Sequence, residues 1–536
     1  MPAETVDVLI IGAGASGAAM AWSLAETKMQ IVCLEQGVRM NPLLYPSAGK
    51  DWEARTAADF AVSPNVRKLP VDYPINEDNS PIKVANFNGV GGGTVLYAGH
   101  FPRFHPSDFQ VKSLDGVADD WPVGYQQLSP YYAENERITG VAGMNGDPAY
   151  PSGNAPRLPP LPLGRAGKVL AKGFNALGWH WWPSDTAIIT QDYDGRARCI
   201  NLGACTAGCA QGAKGSADVT YWPHAERAGV ELRTRCRVRE ITVGADGNAT
   251  GAIYFDGDGN EQVIHAHMVV VACNGVGTPR LLLNSKSPQH PDGLANSSGL
   301  VGKNLMLHPY AWIAGVFDEP TDGHAGPAKL MRSQEFYETD HQRGFVRGYT
   351  LEIQRGMAPV RAAHVGLRHG RIPWGKAHHD AYRDVFGHTT GMVAVCEDLP
   401  EEHNRVTLDP SLTDTHGIAA PRIDYTLSDN SERMLAHAVA RATEVLTAGG
   451  ANEVWSESPI TYGGWHLMGT ARMGTDPQRS VVNEWGRAHD CRNLFIIDGS
   501  IFVTSAGVNP TNTIQALTLY AADQIKSRLN NATLFD

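Results

Sequence analysis

The sequence predicts an α/β protein: a dinucleotide-binding domain made from two separated stretches of chain, with an α+β domain inserted between them. Three observations carry this. Residues 6–37, VDVLIIGAGASGAAMAWSLAETKMQIVCLEQG, read as strand, glycine turn, helix and second strand. From about His308 to Glu457 the texture changes to strand-like runs joined by polar loops. From residue 458 onward it reverts to a buried strand and a long helix.

The opening stretch has a physical reading at each position. Residues 6–11 form a short apolar run suited to a buried parallel strand. Gly12, Gly14 and Gly17 follow with GxGxxG spacing. Gly12 permits a tight turn, Gly14 lets the backbone approach a pyrophosphate, and Gly17 lets helix and strand pack closely. After Ala15, residues 16–26 read as a helix opened by Ser16, whose free N–H groups and positive dipole end suit phosphates. The second strand ends on Glu35, where a carboxylate can accept hydrogen bonds from ribose hydroxyls. This order points to FAD or NAD without choosing between them. The competing reading is a glycine-rich turn in an ordinary βαβ unit.

With 536 residues the chain is too long for one simple core. Its 45 basic and 56 acidic residues give a net charge of −11, which argues against nucleic acid as the main partner. No apolar run is long enough for a membrane span. The N-terminus enters the first strand without a basic n-region, so no secretory signal is expected. Eight cysteines are scattered, apart from Cys199, Cys205 and Cys209, which fits a cytoplasmic protein without a disulfide framework.

Residues 39–81, rich in Pro, Asp and Asn, read as a surface excursion or a lid. In NFNGVGGGTVLYAGHFPR, at 86–103, Gly92, Gly93 and Thr94 belong to a second loop able to lie against a cofactor's phosphates or ring. A second excursion is expected over 140–190, including a proline-rich linker at 146–163 and the aromatic GWHWWP at 178–183. The tryptophans there suit a buried strand, or else an aromatic wall for a substrate. Residues 233–243 and 249–255 alternate like paired strands, and 263–272 with 275–285 reads as a strand and helix returning to the dinucleotide domain. In the inserted domain, 310–316, 344–352, 390–397, 405–408 and 422–425 suggest one antiparallel sheet, with an amphipathic helix over 431–447.

The C-terminal part holds the reactive candidates. A buried strand at 493–497 leads into Asp498 and Gly499, which can give a carboxylate and an N–H to a ribityl or phosphate group. Asn509 precedes Pro510 and Thr511, so its backbone is biased to an extended form just before a helix at 513–529. His466, in GWHLMGTARMG, opposite that asparagine would make a pair able to hold a hydroxyl and take its proton. A lone histidine is more often structural.

These segments together resemble the glucose–methanol–choline (GMC) flavoprotein oxidoreductases. The resemblance runs from Asp7 to Leu529 through GAGASG with Glu35, GVGGGT, WPVGYQQLSPYY, GVGTPRLLLNS, VGKNLMLHP, NRVTLDP, HLMGTARMG and GVNPTNTIQAL. It implies a discontinuous Rossmann-like FAD-binding domain plus an α+β substrate domain with an antiparallel sheet. On this sequence these fall at 1–307, 308–457 and 458–536. It implies oxidation of a sugar, polyol or bulky or aromatic alcohol by hydride transfer to flavin N5. His466 would be the base and Asn509 the group that orients the hydroxyl. Asp498 would stand at the ribityl–pyrophosphate end, and Val238 would contact adenine through its backbone. An ordinary histidine pKa near 6.5 would suit His466 to neutral pH. Leu96 or a neighbour stands where some members attach FAD through a histidine, and His100 is out of register, so non-covalent FAD is expected. No metal is expected, although some bacterial members hold an iron–sulfur cluster in a segment like that of Cys199, Cys205 and Cys209. Competing classes are a non-redox lyase or isomerase and an electron-transfer FAD subunit. The residues leave open whether the acceptor is oxygen or a quinone, dye or protein.

Overall fold

A computed structural model of the chain describes residues 4–152, 157–355 and 358–531. Within the proline-rich stretch, 153–156 lie outside the described residues. Residues 1–3, part of the N-terminus expected to carry no secretory signal, also lie outside the described residues.

A seven-stranded sheet forms the first layer. Glu231–Thr234, Ile31–Glu35, Glu4–Ile11 and Glu261–Val271 lie side by side and parallel. Leu494–Ile496 adds in parallel beside the C-terminal end of the last. Ala249–Phe255 and Arg237–Val243 extend the sheet antiparallel beside its N-terminal end. The register places Ile11 opposite both Leu34 and Val271, and Val271 opposite Ile496. The chain segments after these residues, with Gly12, Glu35, Ala272 and Asp498, therefore leave the sheet along one carboxyl edge. Ligands of open α/β sheets bind in the crevice at that edge. Helices Ala15–Leu24 and Thr511–Asn530 pack on one another, joining the two ends of the chain.

A six-stranded antiparallel sheet forms the second layer, in the order Glu453–Glu457, Tyr310–Val316, Thr389–Cys396, Tyr349–Gln354, Met331–Ser333, Trp182–Pro183. Helix Asp429–Gly449 covers it with Met434, Leu435, Ala438, Ala442, Val445 and Leu446, all buried. Val439 is only partly buried. Residues 140–190 are not a mere surface excursion. They supply helix Gly164–Leu177, which packs against Asp429–Gly449, and the edge strand Trp182–Pro183. At the crossing, a Cβ on Gly173 would collide with the Val445 carbonyl oxygen.

Strands Arg405–Thr413 and Ala419–Asp424 do not join the antiparallel sheet as expected. They form a separate three-stranded sheet with Asn76–Asn79. Their pattern specified a strand but not its partner. The partner follows from burial: Val406, Ile423 and Tyr425 share a core with Ile75, Ile82, Val276, Leu305 and Leu307. The 39–81 stretch is anchored in the same way, since Tyr73 and Ile75 enter that core and Tyr45 and Phe60 pack with Phe87 and Leu96.

Candidate active site

A cleft of about 1000 Å³ runs from the carboxyl edge of the first sheet to the face of the second. Gly12, Gly14, Ala15, Ser16, Glu35, Gly92, Gly93, Thr94, Val238, His466, Asp498, Gly499, Asn509, Pro510 and Thr511 all line it. Gly17 does not. A Cβ there would collide with the Gly12 carbonyl oxygen, so this glycine serves the close helix–strand packing.

The end of the cleft near Gly12 is built from backbone. Gly12 has φ +103°, and a Cβ on it would lie 2.5 Å from the Ala272 carbonyl oxygen. A Cβ on Gly14 would meet only Gly92 Cα, at 3.9 Å. The second glycine loop is tied to the first: Gly91 N–H donates to the Ala13 carbonyl at 2.9 Å. The Thr94 hydroxyl donates to the Gly91 carbonyl at 2.5 Å and accepts from Ala217 N–H at 2.9 Å. Glu35 has a use that the sequence did not reveal. Its two carboxylate oxygens accept from Ala13 N–H at 2.9 Å and Gly37 N–H at 2.8 Å, so it braces the glycine turn. Burial raises its pKa, against these two hydrogen bonds. Each oxygen keeps a lone pair for a ribose hydroxyl. Asp498 accepts from Ser500 N–H at 2.8 Å, Asn274 N–H at 3.1 Å and the Thr278 hydroxyl at 2.5 Å, so it locks the strand end to helix Asn274–Asn284. The first turn of Thr511–Asn530 borders the cleft through Thr511 and Ile514, and the first N–H groups of the helix have no intrahelical acceptor.

The other end is built from side chains of distant segments. His466 Nδ1 lies 2.7 Å from His308 Nδ1. His308 Nε2 lies 2.7 and 3.1 Å from the Ala506 and Ser505 carbonyls, so it must carry a proton. Burial brings the His308 pKa down to about 4, against those two carbonyl contacts, so the ring is neutral and its Nδ1 is bare. His466 therefore donates from Nδ1, and its Nε2 keeps a lone pair. Tyr310 Oη is nearly equidistant from the two His466 nitrogens, at 3.1 and 3.3 Å, and favours neither tautomer. His308 holds φ +55°, a left-handed conformation uncommon outside glycine.

Asn509 is oriented from the opposite side. His100 Nδ1 is 2.8 Å from Glu352 Oε1 and 2.6 Å from Asn509 Oδ1. A carboxylate only accepts, so His100 carries its proton on Nδ1 and the asparagine oxygen faces it. Asn509 Nδ2 then faces His466 Nε2, at 3.5 Å. Burial alone would raise the Glu352 carboxyl, but His100 and Lys329 hold it well below the usual range. His466 departs from the ordinary value near 6.5. Desolvation by the surrounding protein, and then His308, push it well down, with Glu352 opposing.

Sequence reasoning found His466 and Asn509 but gave no role to His100, His308, Tyr310, Lys329 or Glu352. Glu352 carried a signal, a carboxylate inside the apolar run YTLEI. His308 stood in a quoted motif, and nothing in its spacing tied it to position 466.

Among the described residues, no group of three or more His, Cys, Asp or Glu is placed to hold a metal ion. Cys199, Cys205 and Cys209 are free thiols and are not assembled as cluster ligands. Their segment walls the cleft instead, through residues 202–206. Lys214, just after it, is buried and donates to the carbonyls of Val95, Tyr97 and Cys205, pinning the loop after the second glycine turn. Burial brings its pKa down to about 8.

Comparison with known proteins decides the family. The N- and C-terminal GMC oxidoreductase domains match residues 6–310 and 400–518. The chain belongs to the GMC oxidoreductases. It is 41% identical, over 99% of its own length and 96% of the relative's, to 2-methyl-1,2-propanediol dehydrogenase of Mycolicibacterium austroafricanum. It is 30% identical, over 98% of both chains, to the fructose dehydrogenase large subunit of Gluconobacter japonicus. Pyridoxine 4-oxidase of Mesorbium loti shares the fold, with a TM-score of 0.65 at 16% identity, covering 97% of this chain and 99% of that one. This GMC oxidoreductase binds FAD and oxidises alcohol groups. The cradle fits the cofactor: side chains at Gly12 or Gly92 would strike backbone, while Gly14 is left open to the cleft. Residues 311–399, which carry Lys329 and Glu352, lie between the two matched segments.

Proposed function

We propose that the enzyme converts a primary or secondary alcohol to an aldehyde or ketone with its hydroxyl held between His466 and Asn509. The observation that carries this is the bare His466 Nε2 facing Asn509 Nδ2 at 3.5 Å in the cleft wall. The hydroxyl donates to Nε2 and accepts from Asn509. As the carbinol C–H bond breaks, the O–H proton passes to Nε2, and the resulting imidazolium keeps its Nδ1–H on His308. Glu352 favours that charge. Asn509 only donates to the oxygen and takes no proton. Bound FAD supplies the two-electron acceptor for the hydride.

At the other end, Gly12, Gly14, Ala15, Ser16, Gly92, Gly93 and Thr94 would cradle the pyrophosphate, Glu35 the ribose and Val238 the adenine. Asp498 and Gly499 would hold the ribityl chain, and the Pro510–Thr511 helix start would favour negative charge beside it. Non-covalent attachment is supported by Leu96 in the cleft wall and by His100, whose Nδ1 is engaged by Glu352 and Asn509. Relatives named for a diol and a sugar support a hydroxylated substrate. The eight free cysteines support a cytoplasmic location, and no helix of the described residues is long and apolar enough to cross a membrane.

The test is anaerobic stopped-flow reduction of the bound flavin. His466→Ala should slow it by about 10²–10⁴-fold with flavin still bound. An undiminished rate would overturn the assignment. Admitting oxygen or a dye to the reduced wild-type enzyme then identifies the acceptor.

A further inference from the structure

The side chain that orients Asn509 is itself held, by residues from two neighbouring strands of the second sheet. Lys329, just ahead of Met331–Ser333, places Nζ 2.8 Å from Glu352 Oε2 on the adjacent strand Tyr349–Gln354. Glu352 Oε1 lies 2.8 Å from His100 Nδ1, which lies 2.6 Å from Asn509 Oδ1. Asn509 Nδ2 faces His466 Nε2 at 3.5 Å. Lys329, Glu352 and His100 are all buried.

The protons in this row follow one another. Against burial, which favours its neutral form, His100 and Lys329 keep Glu352 ionised. An ionised carboxylate only accepts, so the His100 nitrogen it meets must donate. The other ring nitrogen supports this: Nε2 is buried without a partner among the described residues, so a proton there would have no acceptor. With Nδ1–H shared between Glu352 and Asn509, the amide turns Oδ1 to His100 and Nδ2 to the site of the hydroxyl. Turned over, it would point Oδ1 at the bare His466 Nε2. A hydroxyl with one proton would then stand before two competing acceptors.

We propose that His100, with Glu352 and Lys329 behind it, is a positioning residue for the reaction. It holds the Asn509 amide so that Nδ2 donates to the substrate oxygen and the hydroxyl proton is left to His466. The three residues act through Asn509. This rests on the alcohol-oxidation reading of the same cleft.

Two variants separate the donor from the ring. His100→Phe keeps a ring of similar size and offers no donor. His100→Asn is smaller, but its side-chain nitrogen, like Nδ1, stands two bonds from Cβ and has N–H groups for both acceptors. The reductant of the bound flavin, without air, is whichever of 1,2-propanediol, benzyl alcohol and D-glucose serves the wild-type enzyme best. His100→Phe should slow flavin reduction about tenfold, the loss of one oriented hydrogen bond, with the loss in the limiting rate and not in KM. His100→Asn should recover most of that rate. A packing role reverses the order, since Phe fills the space better, and either that order or equal losses would overturn the proposal. Bound-flavin absorbance reports that each variant is folded. In an Asn509→Ala background, His100→Phe should cost nothing further, because residues acting through one another are not additive. An undiminished tenfold loss there would overturn the route through Asn509. Nitrogen NMR of histidine-labelled protein reads the proton without turnover: the signals lost in His100→Asn should be those of a ring protonated on Nδ1. A ring protonated on Nε2 alone would overturn the proposal while leaving alcohol oxidation standing. If none of the three alcohols bleaches the wild-type flavin, the reading of the cleft itself fails, whatever the NMR signals show.

Discussion

The two ends of the cleft are made differently. At the Gly12 end, the contacts come from backbone N–H groups and bare glycine Cα atoms of two glycine turns tied together, plus the bracing carboxylate of Glu35. At the His466 end, the contacts run side chain to side chain through Lys329, Glu352, His100, Asn509, His466 and His308, drawn from across the chain. A site made of backbone depends on steric permission. A site made of side chains depends on every proton being in the right place. Mutations should therefore act on cofactor retention at one end and on rate and pH response at the other.

His466→Ala is the largest expected break on the reactive side. Next comes Glu35→Ala at the opposite end. It leaves the N–H groups of Ala13 and Gly37 without an acceptor, at about 1–3 kcal/mol each. FAD affinity should fall by roughly ten- to a hundredfold or more, measured by fluorescence of released flavin on dilution. Full retention would break the comparison.

A smaller effect is expected from His308→Phe, which removes the acceptor that fixes the His466 tautomer. Flavin reduction should slow by roughly tenfold, about 1.4 kcal/mol. His308→Gln offers a carbonyl oxygen to the same Nδ1–H and should recover part of the rate. Equal losses in the two variants would reduce His308 to a packing residue.

The smallest effect concerns pH in the wild-type enzyme. Desolvation lowers the His466 pKa well below 6.5. The base must be unprotonated to act, so a lowered pKa extends activity toward acid. The rate of flavin reduction should stay level from pH 7.5 down to about 6.5 and fall only below that. An acid limb centred at or above the ordinary histidine value would contradict the desolvated setting.

The sequence made the nucleotide end readable because its chemistry is local. Gly12, Gly14, Gly17 and Glu35 act through turn geometry and one βαβ unit, and their spacing carries that geometry. Asp498 was readable as a strand end, and His466 and Asn509 through family motifs. Where reading failed, pairing was the missing information. Arg405–Thr413 looked like a strand of the larger sheet, yet its burial with Ile75 and Leu305 sends it elsewhere. Residues 164–177 looked like part of an excursion, yet they fill a groove on Asp429–Gly449. The ordinary pKa expected for His466 failed for the same reason, since desolvation is a property of its neighbours.

By itself the sequence determined the α/β class, the dinucleotide cradle and the two residues proposed to hold the reacting hydroxyl. Each depends on short-range backbone geometry or on residue type at a motif position. Only the tertiary structure decided which partner each ring nitrogen meets, that desolvation lowers the His466 pKa, and that Lys329 pairs with Glu352 in the cleft wall. Those properties arise where strands and loops far apart in sequence are brought within hydrogen-bond distance, and spacing along a chain does not encode that distance.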